Sequence, residues 1–206
     1  MRTISYNVYK FGELDEQAKV AAINNCRDEV AGFIQECDAD EYRATLGEIE
    51  SRFNIDVYNW SVDEFRYSYR VTIKCDYNED DPRMLLRYLN NQVFPNVNLG
   101  EYYSTPFKWE GNKPHYKSKR SRVVLNSQYS CCLTGCWCDD GVDDALNHAY
   151  DAVRKGWTIR EFVDDMLERF FGFWKEDMEN AVDDDTIAEH ITINDYEFHS
   201  DGRLFS

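Results

Sequence analysis

Four thiols crowd one short stretch of this chain, Cys131, Cys132, Cys136 and Cys138, and thiolates that close together are able to hold zinc. Asp140, Asp144 and His148 follow at i, i+4 and i+8 and would add oxygen and nitrogen ligands. The spacing argues against a metal: C-C-x3-C-x-C contains no C-x2-C pair, and no second pair follows at finger or ribbon distance. Cysteine is a frequent core residue, and acids complement the dipole of a helix's first turn. The expectation is therefore no metal and no cofactor, with a zinc or thiol enzyme centred on Cys131–Cys138 as the alternative. Seven cysteines, an odd number, fit reduced thiols better than a disulfide framework.

Other chemistry is poorly represented. Asp139-Asp140-Gly141-Val142-Asp143-Asp144 lacks the alternate carboxylates and sixth-position glycine of a calcium loop. No phosphate-binding glycine loop, dinucleotide fingerprint, zincin helix or nucleophile elbow occurs. The histidines at 115, 148, 190 and 199 are scattered. The chain reads as a non-enzyme.

Charge is the stronger signal. Residues 139–206 hold 19 Asp and Glu against 6 Lys and Arg, so most of the net −16 lies in the last third. Such a surface repels nucleic acid and anionic membrane and attracts basic partners. Glu161, Asp165, Glu168, Gly172, Glu176, Glu179 and Asp183 are separated by three or four positions, which keeps them on one helical stripe, with Asp164 beside it. Like charges at that spacing destabilise a helix by roughly 0.2–0.5 kcal/mol per pair, so the stripe carries a stability cost that a binding role would explain. The partner-binding residues expected are Glu161, Asp164, Asp165, Glu168, Glu176, Glu179 and Asp183. Residues 113–122, by contrast, carry five positive charges and no acid, with Tyr116 among them. They suit a protected edge strand or a segment docked on the protein's own acids better than a nucleic-acid contact.

These residues need a scaffold. Large aromatics, 31 in all, argue for a folded body under the acid, of a size for one domain, residues 1–206. Thr3–Phe11 alternates as a strand. Helical spacing begins at Leu14, with Asp15 as N-cap, and resumes over Asp40–Phe53, which reads as two consecutive helices. Ile55–Trp60 and Phe65–Ile73 read as a hairpin, and Pro82 opens a helix of about three turns. Residues 95–114 read as a loop and 116–133 as one or two strands. A short helix is expected over Asp143–Lys155, stopped by Gly156. A long one runs from Thr158 to about Val182, with Ile159, Phe162, Val163, Met166, Phe170, Phe173, Trp174 and Met178 inward. Asp201-Gly202 between Tyr196–Phe198 and Arg203–Phe205 signals a closing hairpin. The class is α+β, with a mainly antiparallel sheet, several packed helices and a helix-rich acidic C-terminal third. No run approaches the ~20 apolar residues of a membrane span, and Met1–Asn7 has no signal-peptide core, so the expected location is a host-cell cytoplasm.

Val8-Tyr9-Lys10-Phe11-Gly12-Glu13-Leu14 followed by Ala18-Lys19-Val20-Ala21-Ala22-Ile23 resembles the opening of a group of small phage and prophage accessory proteins. Tyr129–Gly135 and the closing Tyr196–Phe198 with Asp201-Gly202 are similar in placement to that group's later segments. The resemblance covers about a fifth of the chain, and the cysteine-rich version of the middle segment departs from it. It implies a phage-encoded accessory protein, a class in which acidic inhibitors of host defence or nucleic-acid enzymes are common, and it carries over no catalytic residue. The expected function is a phage-encoded inhibitor that blocks a basic, nucleic-acid-handling or defence protein of the host. In its most specific form it is a DNA mimic of the anti-CRISPR kind. An antitoxin-like partner using aromatic surface such as Tyr102 and Tyr103 is the alternative.

Overall fold

A computed structural model of the chain describes residues 7–97, 108–110, 113–115 and 131–205. In chain order the elements are β1 (Tyr9–Lys10), α1 (Glu16–Phe53), β2 (Ile55–Val62), β3 (Tyr67–Ile73), α2 (Pro82–Tyr88), β4 (Lys108–Glu110), β5 (Lys113–His115), α3 (Asp140–Asn147), α4 (Ala149–Lys155), α5 (Ile159–Asn180), α6 (Asp184–Ile193) and β6 (Glu197–Phe198). The fold is α+β, and every described strand pair, β1 with β6, β2 with β3 and β4 with β5, is antiparallel. The chain packs as two compact units: Met1–Asp40, Asp63–Phe65 and Glu176–Ser206 form one, Glu41–Val62 and Arg66–Lys175 the other.

Where the sequence suggests two helices, α1 is a single one of 38 residues. Its start is as expected, with Asp15 Oδ1 accepting the Ala18 N–H at 2.8 Å. The polar run Cys37–Asp40 contains no glycine or proline, and inward residues continue through it: Ala31, Gln35, Ala39, Tyr42, Leu46, Ile49 and Phe53 are buried or half-buried at three- and four-residue spacing. Asn54 ends the helix at a left-handed φ of 54°, a conformation that asparagine tolerates.

In the second unit the expected hairpin forms, with β2 and β3 in register from Ile55↔Ile73 to Tyr58↔Arg70 and a bulge between Tyr58 and Ser61 where Asn59 has φ 52°. Asp81 caps α2 through the Arg83 N–H, and a π-helical turn, Leu89–Val93, extends it. The loop expected over 95–114 holds β4 and the start of β5, which extends to His115. Thr3–Tyr6, most of residues 95–107, the strands expected over 116–130, and Tyr102 and Tyr103 lie outside the described residues.

The helix expected over Asp143–Lys155 starts earlier and breaks once, at His148, giving α3 and α4. Gly156 (φ 77°) closes α4 with its N–H on the Val153 carbonyl (3.1 Å) and the Trp157 N–H on that of Ala152 (3.0 Å), the paired bonds of a Schellman turn. Thr158 then opens α5 with a capping box: its Oγ1 accepts the Glu161 N–H (3.1 Å) while Glu161 Oε2 accepts the Thr158 N–H (2.7 Å). α5 stops at Asn180, short of Val182. Its inward face is Ile159, Phe162, Val163, Met166, Leu167, Phe170, Phe171 and Trp174. Phe173, expected inside, is 41% exposed, and Leu167 and Phe171 take up the burial on the other side of the helix. Tyr42 stacks on Trp174 at 5.0 Å, and Tyr69 on Phe171 at 5.0 Å. The Tyr69 and Tyr67 hydroxyls donate to the α5 carbonyls of Asp164 (3.2 Å) and Glu168 (3.4 Å).

In the first unit Leu14, Ala18, Ala22, Cys26 and Val30 of the N-terminal segment meet Ile187 and Ile191 of α6 and Phe198 of β6. The closing hairpin is present, with Phe198 bridging to Leu204 and Gly202 at φ 80° in the turn. A Cβ on Gly202 would stand 2.2 Å from the Ala18 carbonyl oxygen and 2.8 Å from the Ala22 nitrogen, both backbone atoms that cannot swing aside. Gly202→Ala should therefore cost about 2–4 kcal/mol, combining overpacking with left-handed strain. Gly12→Ala, which meets nothing within 4 Å, should unfold in urea close to the wild-type midpoint.

Candidate functional site

The cysteine stretch folds as an irregular loop held by two inward carboxylates. Asp139, wholly buried, accepts the N–H groups of Leu133 (2.8 Å), Thr134 (2.8 Å) and Gly135 (3.0 Å) on Oδ2. Its Oδ1 accepts the hydroxyls of Thr134 (2.9 Å) and Thr45 (3.2 Å), the latter from α1. Asp143 accepts the N–H groups of Cys131 and, at 3.1 Å, Cys132. Such a crown of amides is the arrangement that seats anions, and here the chain's own carboxylates fill it. Burial pushes the Asp143 carboxyl above its ordinary range, against the pull of its hydrogen bonds to Cys132 and Cys131. Burial likewise raises the Cys132 thiol far above its usual value, with Asp143 adding to the effect, which keeps it protonated and a poor nucleophile. Cys132 and Cys138 are buried and Cys131 and Cys136 half-buried. Among the described residues no group of three His, Cys, Asp or Glu is placed to hold a metal ion. Asp144 and His148 are engaged elsewhere: Asp144 pairs with Arg169, and the His148 ring Nδ1 lies 2.8 Å from the Asp144 carbonyl oxygen.

The acids expected to bind a partner divide by unit and by state. In the second unit Glu161 is spent on the capping box, whose hydrogen bonds from Thr158 lower its carboxyl below the usual range. Asp164 is half-buried beside Tyr69 and Arg160, and burial raises its carboxyl. Asp165 forms a two-point pair with Arg169, Nε to Oδ2 at 2.8 Å and Nη2 to Oδ1 at 3.3 Å. Glu168 stands exposed. In the first unit Glu176 and Glu179 are exposed on the last turns of α5. Asp183 lies beyond the end of that helix, exposed, as the N-cap residue of α6. Among the described residues Glu168 and Glu176 make no ion pair.

Sequence reasoning placed the acids but missed their unequal use. The Arg169 pairing with Asp165 is legible as an i,i+4 spacing, whereas its second partner, Asp144, requires the packing of α3 on α5. The buried carboxylates of Asp139 and Asp143 carried a signal too, since both lie within a dozen residues of the amides they bind. Of the basic segment 113–122, only Lys113–His115 is described, as β5. No helix among the described residues is long and apolar enough to cross a membrane.

The Asp139 cradle gives a graded expectation. Asp139→Ala leaves three amides without their acceptor and should cost about 3 kcal/mol or more, since each buried unpaired donor costs ~1–3. Asp139→Asn keeps one oxygen for the amides and turns its NH₂ to the two threonine hydroxyls, which can accept, so about 1 kcal/mol is expected in denaturant titrations. Comparison with protein-family models, with curated proteins and with solved structures gives no match to this chain.

Proposed function

We propose that this chain is a non-enzymatic inhibitor of phage type, acting in the host cytoplasm, that covers the basic surface of a nucleic-acid-handling or defence protein with its own acidic surface. A DNA mimic of the anti-CRISPR kind is the most specific form of this reading. The observation that carries it is the state of Glu168 and Glu176, exposed on α5 without an ion pair among the described residues, in a chain of net charge −16. Glu161 is consumed by capping and Asp165 by Arg169, so each of these two exposed carboxylates keeps its field for a partner. Attraction between such groups acts through encounter and is screened beyond about 8–10 Å at physiological ionic strength.

The test is kinetic. A partner identified by co-purification and then prepared pure should bind with an association rate that falls steeply with salt and should be displaced by duplex DNA. Glu168, Glu176 and Glu179 replaced together by Gln should slow association about tenfold with dissociation little changed, and the fold should survive because these side chains face solvent. An unchanged on-rate with an unchanged salt slope would make the acids a solvated face and end the proposal.

A further inference from the structure

A cleft in the second unit lies between α3 and α4 on one side and α5 on the other. The Schellman turn and the capping box that follow each other at Gly156 and Thr158 leave Trp157 between them, fixed on both flanks. Trp157 lines the cleft. The ammonium of Lys155 sits 5.9 Å from the centre of that ring, at the outer edge of cation–π range. Asp151 of α4, paired with Arg154, and Asp165 of α5, paired with Arg169, line the space from its two sides, and Phe162 and Ala152 line its apolar part.

Volume and charge narrow the occupant. The cleft encloses about 80 Å³. That is room for a few waters or one side-chain head group, and far less than the roughly 300–1,000 Å³ of a pocket for a drug-sized ligand. An anion finds little here. Arg169, the other cation on the wall, already directs Nε, Nη1 and Nη2 at Asp165 and Asp144. His148 is turned to Asp144. Lys155 is exposed and has no carboxylate in contact among the described residues, and its departure would leave the lining with two carboxylates against the one guanidinium of Arg169.

We infer that this cleft is a seat for an arginine side chain of a basic partner. The guanidinium replaces the Lys155 ammonium over Trp157 and donates to the lone pairs that Arg154 leaves on Asp151 and Arg169 leaves on Asp165. Arginine suits it better than lysine, because a planar, weakly hydrated cation stacks on an indole face while offering its N–H groups to carboxylates at the edge. The inference rests on the reading of a basic partner above, but it concerns a different set of residues, and its test needs no identified partner.

The probes are octa-arginine and octa-lysine peptides, equal in charge, titrated into the full chain with calorimetry as the readout. The wild type should prefer octa-arginine by about fivefold, the scale of one exposed cation–π contact. Trp157→Leu should erase that preference and leave octa-lysine binding unchanged. Lys155→Ala removes the internal competitor and should tighten octa-arginine binding more than Lys19→Ala does, although both change the net charge equally. Equal binding of the two peptides, or an arginine preference that persists in Trp157→Leu, would overturn the inference. If Trp157→Leu does not fold, the comparison of Lys155→Ala with Lys19→Ala decides alone, and equal effects of the two reject the seat. A lost arginine preference with a salt-steep on-rate that still responds to the Glu168→Gln, Glu176→Gln and Glu179→Gln changes removes the cleft and keeps the acidic surface. The reverse pattern removes the surface and keeps the cleft.

Discussion

The second unit is organised by the burial of one broad face of α5. Eight of that helix's side chains, from Ile159 to Trp174, are withdrawn from water, five of them Phe, Trp or Met. Burying a large apolar side chain is worth roughly 1.5–3 kcal/mol, so among the described elements of the unit none offers a comparable driving force. The neighbours adapt to it. Tyr42 stacks from α1, the β2–β3 hairpin contributes Trp60, Tyr67 and Tyr69, and Gly141 lets α3 approach so closely that a Cβ there would meet the Phe170 backbone at 2.8 Å. The tyrosine hydroxyls keep their polar ends satisfied on helix carbonyls, which is how such large rings are buried at little cost.

The same burial decides what the acids can do. Because Leu167 and Phe171 join the inward face, the polar face is narrower than the spacing of the apolar residues suggests, and Asp164 is drawn half under the hairpin. Capping and ion pairing remove others from use. A formal charge count overstates the acid available to a partner, since a carboxylate that already satisfies a backbone amide or a guanidinium presents a weak field outward.

The legible and illegible parts of this chain separate along physical lines. Local chemistry is legible: Asp15 and Thr158 as caps, Gly156 as a stop and the Asp201-Gly202 turn depend on residues within a few positions of one another, and the hairpin ending at Ile73 on two adjacent β-rich runs. Polar runs without glycine or proline misled. Cys37–Asp40 suggested a break in a helix that continues, because its buried face is carried there by Gln35 and Ala39, neither of them strongly apolar. α6 is marked in the sequence only by Ile187 and Ile191, four apart behind Asp183. Phe173 against Phe171 was undecidable by period alone, since both adjoin the apolar stripe and only the packing of the hairpin chooses between them. The candidate site was visible as composition, and its division into spent and available carboxylates was not, because that depends on partners such as Asp144 for Arg169 and Thr45 for Asp139 that lie 25 to 94 positions away.

The pairing of β1 with β6 sets an order of assembly. Tyr9 faces Phe198 across almost the whole chain, and the core of the first unit is shared between α1 and the segment that follows α5. The second unit is drawn from a single intervening stretch, Glu41–Lys175 apart from three residues. During synthesis that stretch leaves the ribosome complete while the first unit still lacks its other half. Closing the longest loop also carries the largest entropic cost, which is recovered only after those contacts form. A nascent chain would therefore pass through a stage in which the second unit is folded and the apolar face around Ala18, Ala22 and Cys26 waits uncovered, the interval in which this protein is most open to chaperones, proteases or a premature neighbour.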